Sequence, residues 1–202
     1  MSVISATAVK ELRNISGAGM MDCKKALTEA SGNLDDAMDI LRKSGIAKAQ
    51  KKSGRSTKEG MIYSYIHPGS KLGVLVEINC ETDFVANTDD FLKLNKDLAM
   101  HIAASSPIAV QREDVPSNLI DREKEIYIDQ AKQSGKPDEI INKMIDGRIN
   151  KFYQENVLLE QAFVKDPEKN VKDIITDTIA KLGENINVAR FVRFQLGDST
   201  SN

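Results

Sequence analysis

The sequence predicts an α+β protein: a small helical module, a basic linker, then a larger domain of antiparallel strands and helices. Three observations predict it. Apolar residues recur at spacings of three and four through the first fifty positions. Strict alternation replaces that period over Met61–His67 and Leu72–Cys80. A further alternating segment, Ile186–Leu196, comes only after a run of helical patterns. Strands therefore bracket helices instead of alternating with them, which favours α+β over a parallel βαβ sheet. The expected division is a three-helix domain over 1–53 and an α+β domain over 54–202.

Ser5 is placed to cap a first helix with apolar positions Val9, Leu12 and Ile15, ended by Gly17-Ala18-Gly19. A second helix carries Met20, Cys23, Leu27 and Ala30 on one face and closes at Gly32. Asn33 caps a third, with Asp35 and Asp36 in its first turn, a stripe of Leu34, Ala37, Met38 and Leu41, and Gly45 as its stop. Helices this short are marginal alone, so the three are expected to pack on one another.

Ile46–Gly60 reads as a solvated, partly helical linker. Its Lys48, Lys51, Lys52, Arg55 and Lys58 leave a contact with an acidic partner or RNA as the alternative. Pro68-Gly69-Ser70-Lys71 is turn chemistry between two strands of a hairpin. On the first strand Ile62, Ser64 and Ile66 face opposite Tyr63, Tyr65 and His67; on the second, Val74, Val76, Ile78 and Cys80 share a side. Thr88 caps a helix bearing Phe91, Leu94, Leu98 and Ile102. Helices are expected over Asp121–Ser134 and from Pro137 through Ile140, Ile141, Met144, Ile145, Ile149 and Phe152, separated by Gly135. Val157–Val164 reads as a short strand, Val171–Leu182 as an amphipathic helix stopped by Gly183, and Val188, Val192, Phe194 and Leu196 as one face of the last strand.

Bulk composition narrows the function. The chain has 202 residues, 41% hydrophobic and 29% charged, as in an ordinary globular protein. A formal charge of -2 argues against a general nucleic-acid binder. No apolar stretch approaches the ~20 residues that span a bilayer. The first residues lack a basic-then-apolar leader, so a cytoplasmic protein is expected. Cys23 and Cys80 are expected to be free thiols in a reducing compartment.

Motifs for covalent or metal chemistry are missing. The two histidines, His67 and His101, form no metal-spaced pair, and no P-loop or nucleophile elbow is present. Gly17-Ala18-Gly19 follows a helix rather than a strand, so a tight turn explains it better than a phosphate cradle. Lys24 and Lys25 beside Cys23 could depress its pKa, but the helical spacing puts Cys23 on the apolar face. His101 falls beside the apolar stripe of its helix, at an edge a partner could reach.

The run Cys80-Glu81-Thr82-Asp83-Phe84-Val85-Ala86-Asn87 stands out from this background. It places an acid and a large aromatic side by side on an expected short strand-to-helix loop. The plain reading makes Phe84 a core anchor and Asp83 a turn residue. The sharper one makes the ring a wedge for a partner's apolar crevice and the carboxylate a perturber of bound cations.

Four segments together resemble the elongation factor Ts family. They are Val9–Arg13 running into Ser16-Gly17-Ala18-Gly19-Met20-Met21-Asp22-Cys23-Lys24-Lys25-Ala26-Leu27; Leu41-Arg42-Lys43-Ser44-Gly45; Glu81-Thr82-Asp83-Phe84-Val85-Ala86; and Met100-His101-Ile102-Ala103-Ala104-Ser105. Gln133-Ser134-Gly135-Lys136-Pro137 and Phe191-Val192-Arg193-Phe194 extend the likeness over nearly the whole chain.

The resemblance implies a ubiquitin-associated-like helical domain followed by a dimerisation-type α+β domain, with no cofactor and no covalent chemistry. It implies exchange of guanine nucleotide on elongation factor Tu, GDP-bound and nucleotide-free, without direct contact to nucleic acid or membrane. Carried over residue by residue, Thr82, Asp83, Phe84 and Val85 would disturb the partner's magnesium site. Arg13, Met20 and Met21 would touch its nucleotide-binding domain, and His101 another domain. Against longer members the chain is expected to lack an extra core subdomain, a helical hairpin insertion and a C-terminal module. Self-association near Ile186–Phe194, giving a 2:2 complex, could supply the missing half of the footprint. An enzyme using Cys23 and a binding module without exchange activity are the rival readings.

Overall fold

The computed structural model describes residues 4–132 and 138–198. Three helices open the chain: α1 (Ala6–Ser16), α2 (Met20–Glu29) and α3 (Leu34–Gln50). Their caps form as the sequence predicts. The Ser5 hydroxyl accepts the Ala8 N–H at 3.1 Å, and Asn33 Oδ1 accepts the N–H groups of Asp35 and Asp36 at 2.9 and 3.2 Å. Val9, Leu12, Cys23, Ala26, Leu27 and Ala37 make one buried core. Two expectations change. Ile15 lies outside this core and is exposed. Gly45 does not stop α3, which runs on to Gln50. A Cβ at Gly45 would come within 3.3 Å of the Ala180 Cβ, so here the glycine admits a neighbouring helix. That neighbour offsets the ~1 kcal/mol that glycine costs inside a helix.

The strands β1 (Glu59–Ile66), β2 (Leu72–Cys80) and β5 (Ile186–Gln195) form one sheet in the order β1-β2-β5. The five-residue turn makes β1 and β2 a hairpin, closed by His67 N–H donating to Leu72 C=O at 2.8 Å. Between β2 and β5, contacts pair Glu81 with Asn185, Glu77 with Arg190 and Lys71 with Leu196, a descending count that makes the pair antiparallel. Gly60 is where β1 crosses closest to β2: a Cβ there would meet Ile78 O at 2.3 Å, which no other residue tolerates. Val74, Val76, Ile78 and Cys80 are all buried, as their alternation predicts.

On β5 the expected single face is broken. Val188 is buried, yet Val192, Phe194 and Leu196 are exposed, while Phe191 and Arg193 are half-buried. The burial phase slips by one residue at Ala189-Arg190, and such a slip reverses every later side chain.

A single helical turn, α4 (Asp83–Ala86), leads into α5 (Asp89–Ser105). The α5 stripe is buried as predicted at Phe91, Leu94, Leu98 and Ile102. Helices α6 (Ser117–Lys132) and α7 (Asp138–Asn156) pack together over a core that includes Ile120, Ile141, Ile145 and Ile149. The two helices expected over Asp121–Ser134 and from Pro137 onward are thus present, the first beginning earlier, at Ser117. The predicted break at Gly135 and Pro137, and the Gln133–Pro137 segment of the resemblance, lie outside the described residues.

Val157–Val164 is not the continuous strand expected. Val157 bridges to Ala109, residues 158–160 form a 3-10 turn, and only β3 (Ala162–Phe163) pairs, with β4 (Asp166–Asn170). A short apolar run does not distinguish a strand from a buried turn. Helix α8 (Val171–Leu182) matches its predicted bounds and closes at Gly183.

By contacts the described chain forms two compact units, each discontinuous in sequence. Among the described residues, one gathers 4–61, 78–94 and 173–187; the other gathers 62–77, 95–132, 138–172 and 188–198. No described helix is long and apolar enough to cross a membrane.

Candidate functional site

Position 82 ends the β2 strand direction and begins a helix. Thr82 is extended, at φ -131° and ψ 155°, and its hydroxyl faces the Val85 N–H at 3.4 Å as an N-cap. One turn follows, with Ala86 N–H donating to Thr82 C=O and Asn87 N–H to Asp83 C=O. The expected loop is therefore a single helical turn. Asn87 Nδ2 donates a second bond to the Asp83 carbonyl at 2.8 Å, and the Thr88 hydroxyl donates to Val85 C=O at 2.8 Å. Both carbonyls also accept a backbone N–H, Asp83 from Asn87 and Val85 from Thr88, so each side-chain bond reinforces the end of the turn.

A helical turn sends adjacent side chains about 100° apart, and the sequence uses that divergence. Val85 and Ala86 point inward and are buried, whereas Asp83 and Phe84 point outward. Phe84 is 79% exposed. Leaving a phenylalanine in water forgoes roughly 1.5–3 kcal/mol of burial. The core-anchor reading of Phe84 is thereby corrected: the anchor is Val85, one residue on. Of the four predicted residues, three are exposed: Asp83 and Phe84 project into solvent and Thr82 caps the turn, while Val85 roots it.

The strand end and the turn are tied to the start of β5 within the same unit. The Glu81 carboxylate accepts the Asn185 N–H at 2.7 Å and lies 3.4 Å from the Arg55 guanidinium. The Asn185 N–H holds the Glu81 carboxyl below its ordinary pKa; burial, the next largest effect, opposes it, and Arg55 adds to the lowering. Cys80, just before, is buried and donates to the Thr82 carbonyl at 3.1 Å. Burial, then the charge of Glu184, pushes its thiol pKa up, so it is not a poised nucleophile.

The second predicted group flanks the α1–α2 turn. Arg13 is exposed at the end of α1; Met20 and Met21 begin α2 at 45% and 75% exposure. Ile15, 63% exposed, joins them and was hidden by its fit to the α1 stripe. The Lys181 stem lies against Gly17 in this turn, and its ammonium pairs with Asp90 at 2.6 Å. Cys23 is sealed in the helical core, so the enzyme reading loses its nucleophile. Much of the basic linker charge is used internally: Lys48 pairs with Asp22 at 2.7 Å and Lys52 bonds the Gly183 carbonyl.

His101 differs from its expected position at an accessible edge. Its exposure is 0%. Nδ1 accepts the Val164 N–H at 3.3 Å, so the ring proton sits on Nε2 and donates to Gln161 Oε1 at 3.0 Å. Gln161 Nε2 in turn donates to the Glu155 and Ser105 carbonyls at 2.8 and 3.3 Å. Burial lowers the histidine pKa, and the Gln161 bond only partly opposes it. His101 is a neutral structural link, and no edge of its ring is open to a partner.

Comparisons with known proteins identify the family. A family model described as elongation factor TS matches residues 4–198. Proteins named elongation factor Ts are similar along almost the whole chain. That of Fervidobacterium nodosum is 60% identical over 195 residues, covering 96% of this chain and 99% of its own. That of Geobacter sulfurreducens is 59% identical, covering 96% and 90%, and that of Thermosipho melanesiensis 58%, covering 97% and 100%. With the motif-bearing turn exposed and similarity extending from the first helix to the last strand, the chain belongs to the elongation factor Ts family.

Proposed function

We propose that this chain is a guanine-nucleotide exchange factor acting on elongation factor Tu in translation elongation, without covalent chemistry. The observation that carries the reading is the Phe84 ring, held in water on a turn whose next two residues are buried. A nucleotide held at nanomolar strength is bound by roughly -12 kcal/mol. Part of that grip is magnesium bridging phosphate oxygens to the partner protein. Phe84 enters the partner's packing, Asp83 reorganises nearby polar groups, the ion's ligands shift, and GDP leaves. Reciprocity then requires that nucleotide weaken the factor's hold by the same ratio, so incoming GTP displaces the factor. Arg13, Met20 and Met21 supply a further contact with the partner's nucleotide-binding domain.

The test is to add the chain to elongation factor Tu loaded with fluorescent GDP, with unlabelled nucleotide in excess. Release should accelerate with factor concentration. Binding without acceleration would contradict exchange and favour the recruitment module.

A specific observation also favours self-association. The Arg190–Glu77 pair, at 2.7 Å, fixes which β5 and β2 side chains share a face, and Ile66 lies against Gly73 on that face. Ile66, Leu75, Val192 and Phe194 make it apolar and exposed. A dimer through this face would give a 2:2 complex with the partner. Sedimentation should show a dimer that Phe194→Glu converts to monomer; a wild-type monomer at all concentrations would contradict it.

A further inference from the structure

We infer that Glu184 and Asn185, between α8 and β5, are positioning residues that hold the Phe84 turn in its exchange-competent geometry. This rests on the exchange reading above. Both Glu184 oxygens are committed to one residue: Oε2 accepts the Thr82 N–H at 3.0 Å and Oε1 accepts the Thr82 hydroxyl at 2.7 Å. The same hydroxyl caps the turn through the Val85 N–H. Donating to a carboxylate makes that oxygen a better acceptor for the cap. The bond pattern is reciprocal, because Glu81 accepts the Asn185 N–H at 2.7 Å. Residues 81–82 and 184–185 thus each offer a carboxylate to a backbone N–H of the other.

Asn185 is buried and locks its side of the clasp. Its Nδ2 donates to the Arg55 carbonyl at 2.9 Å and the Ser53 carbonyl at 3.4 Å. A single helical turn has too few internal bonds to hold itself. Its inner side is fixed by Val85 and Ala86, and its entry by Glu184. A wedge acts only if its ring arrives in register, and misplacement by about 1 Å can cost on the order of a hundredfold in rate. Glu184 therefore acts through Phe84.

The experiment measures GDP release against factor concentration for wild type, Glu184→Ala, Glu184→Gln, Phe84→Ala and the Phe84→Ala/Glu184→Ala double variant. Glu184→Ala should lower the limiting rate about tenfold, with the half-saturating concentration within about twofold of wild type. Glu184→Gln should restore most of the rate, since its amide can accept the Thr82 N–H and donate to the hydroxyl. In the Phe84→Ala background Glu184→Ala should add nothing, because the two act as a unit. Amide exchange should rise at Thr82, Val85 and Ala86 in Glu184→Ala and stay unchanged in α1–α3. A wild-type rate in Glu184→Ala, or an equal further loss in the double variant, overturns the assignment. If Phe84→Ala alone leaves release unchanged, the role of Phe84 in exchange fails instead, and the local amide exchange still reports the clasp separately.

Discussion

Phe84 and His101 are both nominated by the family resemblance as residues that meet the partner, and the structure treats them in opposite ways. The apolar ring is in water and the polar ring is in the core. Each placement inverts the ordinary preference of its residue type. The histidine's placement is internally compensated, because both ring nitrogens and the Gln161 amide have partners. The phenylalanine's placement has no compensation within the described residues of the chain. An uncompensated exposed ring on a stiffened turn is what the proposed contact with a partner requires; a satisfied buried ring serves stability.

That contrast can be broken by separating stability from exchange. The largest stability effect is expected for His101→Ala. It empties a buried site and strands the Val164 N–H and Gln161 Oε1, a loss of about 3 kcal/mol in chemical denaturation. A loss under ~0.5 kcal/mol would mean the network carries no weight. Val85→Ala should follow, at about 1–2 kcal/mol for two buried methyl groups. Its exchange defect should come from loosening the turn. Met21→Ala should leave stability within ~0.5 kcal/mol, as for an exposed position, while weakening complex formation in titration calorimetry. Wild-type affinity would remove that contact.

The smallest effect is in pH. The folded His101 has a pKa below its ordinary 6.5, so the unfolded chain takes up a proton that the folded chain refuses. Its contribution is complete above the unfolded pKa and is lost as pH falls below it towards the folded value. Thermal melts between pH 7.5 and 5.5 should therefore show a decline that His101→Gln flattens. An identical decline in the variant would assign it to other groups.

Much of the fold was legible because its signals are local. Caps at Ser5 and Asn33, the α5 stripe and the β1–β2 turn each declare themselves within a few residues. What escaped depends on distant neighbours. Gly45 reads as a stop until Ala180 is seen beside it. The phase slip at Ala189-Arg190 leaves no mark on an apolar strand that alternates either way. Ile15 fits its helical stripe by spacing yet falls past the edge of the core. At the site, motif residues 82–85 are visible as a run, but not their division into cap, exposed carboxylate, exposed ring and buried root. Glu184 was invisible, since its contact spans 102 positions and a lone glutamate after a helix carries no local signal.

The most direct test is a stopped-flow comparison of GDP release from elongation factor Tu at saturating wild type, Phe84→Ala and His101→Gln, each corrected for its folded fraction. The account predicts that Phe84→Ala slows release about a hundredfold, the loss of roughly 2.7 kcal/mol, while His101→Gln releases at the wild-type rate. Equal rates for Phe84→Ala and wild type, or a rate lost only with His101, would contradict it.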